Sequence, residues 1–264
     1  KGGKRLLNKL WNSTRFALMS IGAYDPAGAT VETPTAADRW IRARIIDTTL
    51  KATAGFEGYE YNKALRATEQ LFWRDWCDNY LEIVKDRFRN PDAWEPGQVE
   101  AARTTIFYGT WTLLRLFAPV LPFITEELYQ AALRPAFGAE APSSLHCAPW
   151  PVDESSGAVD VFGGEADADA ERLGGLLIDL VAAVRQLKTE GRIGLGRALE
   201  AVYITGEGRA DVEAVSVDWR AAARADLISW SAPAEGHADA APTHQVGDRD
   251  LRIGIAPAPK PDES

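Results

Sequence analysis

Cysteine is almost missing from this sequence, with Cys77 and Cys147 alone, and neither belongs to a C-x-x-C pair or has a histidine at zinc-binding spacing. That excludes a disulfide-stapled scaffold and a zinc module, and the chain reads as cytoplasmic and reduced. No uncharged apolar run approaches the ~18 to 20 residues that span a bilayer. The first residues, KGGKRLLNKLW, lack an apolar core followed by a small-residue cleavage site. A membrane partner is therefore not expected. Histidine is scarce too: His146, His237 and His244 lie in loop-like text without the i, i+4 helical partner that a metal site needs, so surface or structural roles are assigned to them. A phosphate loop is lacking, because GRIGLG (Gly191 to Gly196) follows a helix rather than a strand and has no Gly-Lys-Ser/Thr ending; it reads as a helix stop and turn. The adjacent Glu126 and Glu127 diverge by ~100° on a helix and cannot act as an acid/base pair. They read as first-turn charges favoured by the helix dipole.

What is present is an ordinary globular composition: 264 residues, 46% hydrophobic and 25% charged. The net charge of −9 would discourage nucleic-acid binding, yet it is unevenly spread. Up to Gln130 there are 17 Lys+Arg against 16 Asp+Glu, and the remainder holds 12 against 22. The first 24 residues carry Lys1, Lys4, Arg5, Lys9 and Arg15 and no carboxylate, a local cationic surface on an acidic chain.

Apolar periodicity organises the chain into helices. Leu6, Leu7, Leu10, Thr14, Leu18 and Ile21 recur at three- and four-residue intervals up to Gly22, which places Arg5, Asn8, Asn12, Arg15 and Met19 on the opposite face with Lys9 and Phe16 at its margin. A second helix follows Thr35, which resembles a capping box with Asp38, and runs to about Gly58. A third is expected from about Asn62 to Phe88, with Phe72, Trp76, Tyr80, Val84 and Phe88 on one stripe. A fourth starts at Pro96, and Pro119 and Pro122 separate it from a fifth, FITEELYQAAL. Short loops make these an antiparallel helical bundle over residues 1–133. Residues 134–169 read as a surface connection rich in Gly, Pro, Ala, Ser and acid. A sixth helix from about Ala170 and the strand-like LEAVYIT, LISWSA and LRIGIAP, with helical text between the first two, make residues 170–258 a small α+β appendage; 259–264 read as a frayed tail. The fold class is thus mainly α.

One stretch invites chemistry. In FWRDWCDNYLEIVKDRF (Phe72 to Phe88), Phe72 and Trp76 keep core spacing, whereas Trp73, Arg74, Asp78 and Lys85 fall off the stripe and reach solvent or a ligand. Unpaired bases are held by stacking on aromatics or guanidinium planes and by hydrogen bonds to their edges. Asn8, Asn12 and Arg15 suit base edges, Phe16 and Trp73 suit stacking, and Lys4, Arg5 and Lys9 suit phosphates. For Asn12 and Arg15 a second reading stands beside this one, in which they bond only neighbouring helix ends.

The residues also carry a resemblance. GKRLLNKLWNSTRFAL (Gly3 to Leu18), DRWIRARI (Asp38 to Ile45), FWRDWCDNYLEIVKDR (Phe72 to Arg87), LRLFAPVLPFITEELYQ (Leu114 to Gln130), LHCAPWP (Leu145 to Pro151) and VAAVRQLKTEGRIGLG (Val181 to Gly196) resemble, in this order, the region after the catalytic domain of valyl-tRNA synthetases. The plan is shared across class Ia, while KLWN-x-x-RF and the APWP segment lean to the valyl enzymes. Departures are Tyr129, where Trp is expected, and a long Ala-rich connection around Ala131 to Ser144.

The resemblance implies a bundle that binds the anticodon arm of tRNA-Val, reading chiefly the central adenine and third-position cytosine. It implies partnership with catalytic and editing domains. ATP would be used by that catalytic domain, whose HIGH and KMSKS-like strings do not occur here, and no cofactor is expected in this chain. The absence of an initial Met makes an excised fragment the expectation. The rival, supported by the acidic second half, is a free-standing paralogue serving as a helical protein–protein or RNA-binding module.

Overall fold

The computed structural model describes residues 2–22, 24–26, 28, 31–153, 155–162, 167–233 and 238–259. His237 and nearly all of the expected frayed tail lie outside them. Two compact units emerge, one comprising Lys1–Pro34 with Asp38–Ala168, the other Thr35–Ala37 with Asp169–Ser264.

The first unit is helical: α1 Gly2–Ile21, α2 Ala36–Glu57, α3 Tyr61–Gln70, α4 Leu81–Ile83, α5 Lys85–Arg89, α6 Pro96–Phe117, α7 Pro122–Leu128 and α8 Arg134–Phe137. Helix α6 is the hub, packed upon by α1, α3, α5 and α7. Its text explains why: apolar and small residues run all round it, and a helix without a polar face belongs in the interior. Two of its buried threonines satisfy their hydroxyls within the helix, Thr105 Oγ1 donating to the Ala101 carbonyl at 2.7 Å and Thr112 Oγ1 to that of Tyr108 at 2.9 Å. Pro122 occupies the first turn of α7, where its missing N–H costs nothing.

The expected single helix from Asn62 to Phe88 is corrected. Between α3 and α4 the chain runs as a π-helix, Leu71–Tyr80, and Val84 interrupts α4 and α5. The i→i+5 pattern, seen where Leu81 N–H donates to the Trp76 carbonyl, shifts the phase of the side chains. Asp75 and Cys77 join Trp76 and Tyr80 inside, and beyond Val84 it is Arg87, not Phe88, that is fully buried. The helix after Pro122 differs in the same way, passing into a second π segment, Tyr129–Leu133. Because α7 starts at Pro122, Glu126 and Glu127 sit past its first turn rather than in it. Burial opposes ionisation of Glu126, but hydrogen bonds from Gln130, Ser144 and the Leu145 N–H outweigh it and hold the carboxyl below its usual range. Its partners are thus the connecting segment rather than the helix dipole.

That segment is more than a surface strap. Leu145, Val159 and Val161 are buried, Val152 and Val159 form a β-bridge, and Arg115 holds Asp160 with both guanidinium nitrogens. Trp150 packs edge-on against Phe56 at 5.4 Å. Tyr129, the departure from the expected Trp, is buried and donates its hydroxyl to the Pro142 carbonyl at 2.6 Å, inside the long Ala-rich connection.

The second unit opens with α9, Ala168–Glu190, and continues with β1 Leu199–Gly206, α10 Arg209–Ala223, β2 Ala225–Ser229, β3 His244–Gln245 and β4 Leu251–Pro257. The strand order is β2-β1-β4-β3, with β1 parallel to β2 and antiparallel to β4. Strand β1 is central and nearly continuously buried, matching its run of β-formers. His244, read as loop, pairs with Ile253 in the short β3. His146 is exposed, its Nε2 3.1 Å from the Pro122 carbonyl.

The two thiols differ sharply. Burial pushes the Cys77 thiol up to about 11, while Cys147 is exposed. Iodoacetamide at pH 8 should label Cys147 alone in the native protein and both cysteines after denaturation, as read by peptide mass spectrometry. Equal native labelling rates would place the π segment outside the core.

Candidate nucleic-acid interface

Helix α1 is amphipathic by sequence, and the structure assigns its faces as the periodicity requires. Leu6, Leu10, Ala17 and Ile21 are buried, and Lys4, Arg5, Asn8, Asn12, Arg15, Phe16 and Met19 are exposed. Among the described residues the side chains of Lys4, Asn8, Asn12 and Arg15 contact no protein partner through a hydrogen bond or ion pair. The alternative in which Asn12 and Arg15 bond neighbouring helix ends is therefore not what the described residues adopt.

The π segment contributes the second half of the surface. Trp73 is half-buried, with the Arg5 guanidinium 5.3 Å and the Lys9 ammonium 5.8 Å from its ring centre. Lys9 also approaches the Asp78 carboxylate at 3.7 Å. These contacts join the cationic half of α1 to Trp73 and Asp78, which lie more than sixty positions away in sequence. Arg74 is exposed, its Nε 4.0 Å from Asp75, a buried carboxylate that Arg44 Nε also holds at 3.0 Å. Phe16 lies at the margin, with the Lys85 ammonium 5.2 Å from its ring centre. Arg5 and Lys9 thus already occupy a position over the Trp73 ring, so a base stacking there would have to share or displace them.

Beside Arg15 the surface opens into a groove of about 460 Å³, whose lining includes Trp11, Met19, Phe107, Leu128 and Ala132. Trp11 is 41% exposed and Met19 70%. Trp11 was not singled out by its spacing, because it follows Leu10 between the two faces of α1; a large aromatic at such a border was the available signal. The surface as a whole offers unpaired amides, a free guanidinium, apolar rings and ammonium groups, the combination that unstacked bases and their phosphates can use. Nothing in it resembles a catalytic constellation. Among the described residues no cluster of three or more His, Cys, Asp or Glu could hold a metal, and no helix is long and apolar enough to cross a membrane.

Comparison with known proteins bears on this surface. A family profile described as the anticodon-binding domain of tRNA ligase matches residues 38–203. Among curated relatives, a valine–tRNA ligase of Haloarcula marismortui is 35% identical over 206 residues, which is 78% of this chain and 20% of the relative. Those of Anaplasma marginale and Salinispora arenicola are 32% and 37% identical over 234 and 238 residues, 88% and 84% of this chain and 26% of each relative. The chain spans about a quarter of the length of the relatives it matches.

Proposed function

Because the chain belongs to the anticodon-binding domain family of tRNA ligases, we propose that its helical unit recognises the anticodon arm of tRNA-Val as part of a valine–tRNA ligase. ATP-dependent attachment of valine is assigned to a catalytic domain outside this sequence, in which neither a HIGH nor a KMSKS string occurs. The observation that carries the reading is the polar face of α1. Asn8, Asn12 and Arg15 are exposed and unengaged among the described residues, on the same helix whose Arg5 and Lys9 lie over the Trp73 ring. Unstacked bases are held by hydrogen bonds to their edges and by stacking, so exposed amides and a guanidinium on a helix that adjoins exposed aromatics suit such a ligand.

Within this reading the residues divide by chemistry. Arg15 can pair bidentately with a base edge or stack upon it. Asn8 and Asn12 offer both donors and acceptors to base edges. Phe16, Trp73, Arg74 and Asp78 complete the base-reading set. Lys4, Arg5 and Lys9 neutralise phosphates, which carry no sequence information.

Arg15→Ala is expected to narrow the preference for a valine anticodon stem-loop over a substituted one by ~1 to 3 kcal/mol, whereas Lys4→Ala should weaken both RNAs about equally and flatten the salt dependence. Titrating both stem-loops at two salt concentrations measures this. Undiminished discrimination in Arg15→Ala would reduce α1 to scaffold and move the reading face to Trp73, Arg74 and Asp78.

A further inference from the structure

The second unit has an excess of acid, yet one end of it is cationic. Between 169 and 264 there are 16 Asp+Glu against 11 Lys+Arg. Away from that end Arg172 is paired with Asp169 and Asp211, Arg209 with Glu213 and Arg249 with Asp179, while Arg252 has no carboxylate partner among the described residues. Where α9 and α10 finish, the pattern changes. Arg192, Arg197, Arg220 and Arg224 have no carboxylate partner among the described residues, although Glu190, Glu200 and Asp226 lie close in sequence.

Hydrogen bonds to main-chain carbonyls bind this end together. Lys188 is buried and donates to the carbonyls of Leu195, Arg197 and Ala223 at 3.3, 2.7 and 3.0 Å. Arg224 donates to Gly196, Arg197 to Ala258, and Arg220 to Ala225. Each guanidinium is thereby fixed by a neutral acceptor and keeps its full charge and several donors for another ligand. Burial, and then the Arg224 charge, pull the Lys188 ammonium down to about 8, consistent with positive charge gathered at this end.

A separate observation points the same way. Arg192 and Arg224 have φ of +54° and +56°. Arg192 is the residue after the α9 cap in a Schellman arrangement, with Ile193 N–H bonding the Lys188 carbonyl and Arg192 N–H that of Thr189. Arg224 is the left-handed residue that ends α10. Glycine is the unstrained choice at both positions, so arginine is held there at a conformational cost. Strained positions that persist commonly mark function.

We propose that this end of the second unit, built by Arg192, Arg197, Arg220 and Arg224 around the exposed glycine-punctuated turn 191–196, is a sequence-independent binding surface for the phosphate backbone of structured RNA. The proposal rests on the reading of the chain as part of a tRNA-binding protein. Several guanidinium forks on one edge match the repeated bidentate acceptors of a phosphate chain. A Cβ at Gly194 would meet nothing within 4 Å, which leaves room for a backbone to approach the turn. The acidic remainder of the unit repels a polyanion elsewhere and so confines it to this end.

The test uses the full chain, the double variant Arg192→Gly/Arg224→Gly and the single variant Arg192→Gly, whose side chain has no partner among the described residues. The probe is an RNA duplex of about 16 base pairs without a loop. The expected results are a Tm for Arg192→Gly equal to or above that of the parent, a weakening of duplex binding of about tenfold in the double variant, and a salt slope smaller by about one per arginine removed. Discrimination between anticodon stem-loops, measured in parallel, should be unchanged, so failure of the anticodon reading shows in that arm and failure of this surface in the duplex arm. Duplex binding that is absent in the parent or equal in the variants overturns the proposal. So does loss of binding to poly-glutamate with duplex binding retained, which would assign the surface to an acidic protein. A fall in Tm for Arg192→Gly would overturn it as well, by making the arginine a structural cap.

Discussion

Asp38→Ala and Arg87→Ala should each destabilise the helical unit by about 3 to 5 kcal/mol. Both side chains are wholly buried, 2.7 Å apart, and they form a small network. Asp38 accepts from the Tyr80 hydroxyl at 2.8 Å, Arg87 also donates to the Gln98 carbonyl at 3.0 Å, and the Trp94 ring lies 4.9 Å from the guanidinium. Removing one partner leaves the other charge in a low-dielectric interior without compensation, and desolvation then dominates. The environment of Tyr80 reports the same field, since burial and then the Asp38 charge raise its hydroxyl well above the usual range. The double variant Asp38→Leu/Arg87→Met should recover most of the loss, because apolar replacement of a complete buried pair is often close to neutral. Thermal unfolding of the four proteins checks this, each single change lowering Tm by roughly 10 °C on the scaling for domains of this size. Additive losses in the double variant would show that the two charges do not compensate each other.

Trp76→Ala is expected to cost about 3 to 5 kcal/mol by a different route, loss of buried apolar surface together with the cavity left behind. Trp76 is 2% exposed, its ring centre lies 5.5 Å from that of Tyr80, and it fills the space over Gly109 of the hub helix. A Cβ at position 109 would stand 2.6 Å from the indole ring, so Gly109→Ala should itself cost about 1 to 3 kcal/mol by overpacking. The two sites face each other, and their effects should not add. With the indole gone, the alanine at 109 occupies emptied space, and the double variant should be no worse than Trp76→Ala alone. Denaturant titration reads the three midpoints. A Trp76→Ala protein that unfolds within a fraction of a kcal/mol of the parent would refute the helix packing around α6.

Much of this was legible in the sequence because it depends on local pattern. The polar and apolar faces of α1 follow from 3.6-residue periodicity, and every residue assigned to the exposed face is exposed. Proline punctuation placed the start of α7, and runs of β-formers placed β1 and β4. The resemblance to valyl-tRNA synthetases agrees with the family match and with the relatives.

The failures share one cause, which is non-local energetics. Helical periodicity assumes a constant turn, and nothing in FWRDWCDNY announces that packing against Gly109 and the Asp38–Arg87 pair accompanies a π-helix there. Composition could not reveal that the Gly, Pro and acid-rich connection sends Val159, Val161 and Trp150 into hydrophobic clusters, since a few apolar residues in polar text give no period. The sequence by itself determined the helical class, the faces of α1 and the asymmetry of charge, each of which is set by residues within a few turns of one another. Tertiary structure alone decided that Arg5 and Lys9 cover Trp73, that Arg87 rather than Phe88 enters the core, and that arginines bonded to main-chain carbonyls rather than to carboxylates gather where α9 and α10 end. The physical reason is that electrostatic and packing energies depend on which side chains become neighbours, and that is settled only when distant segments close on one another.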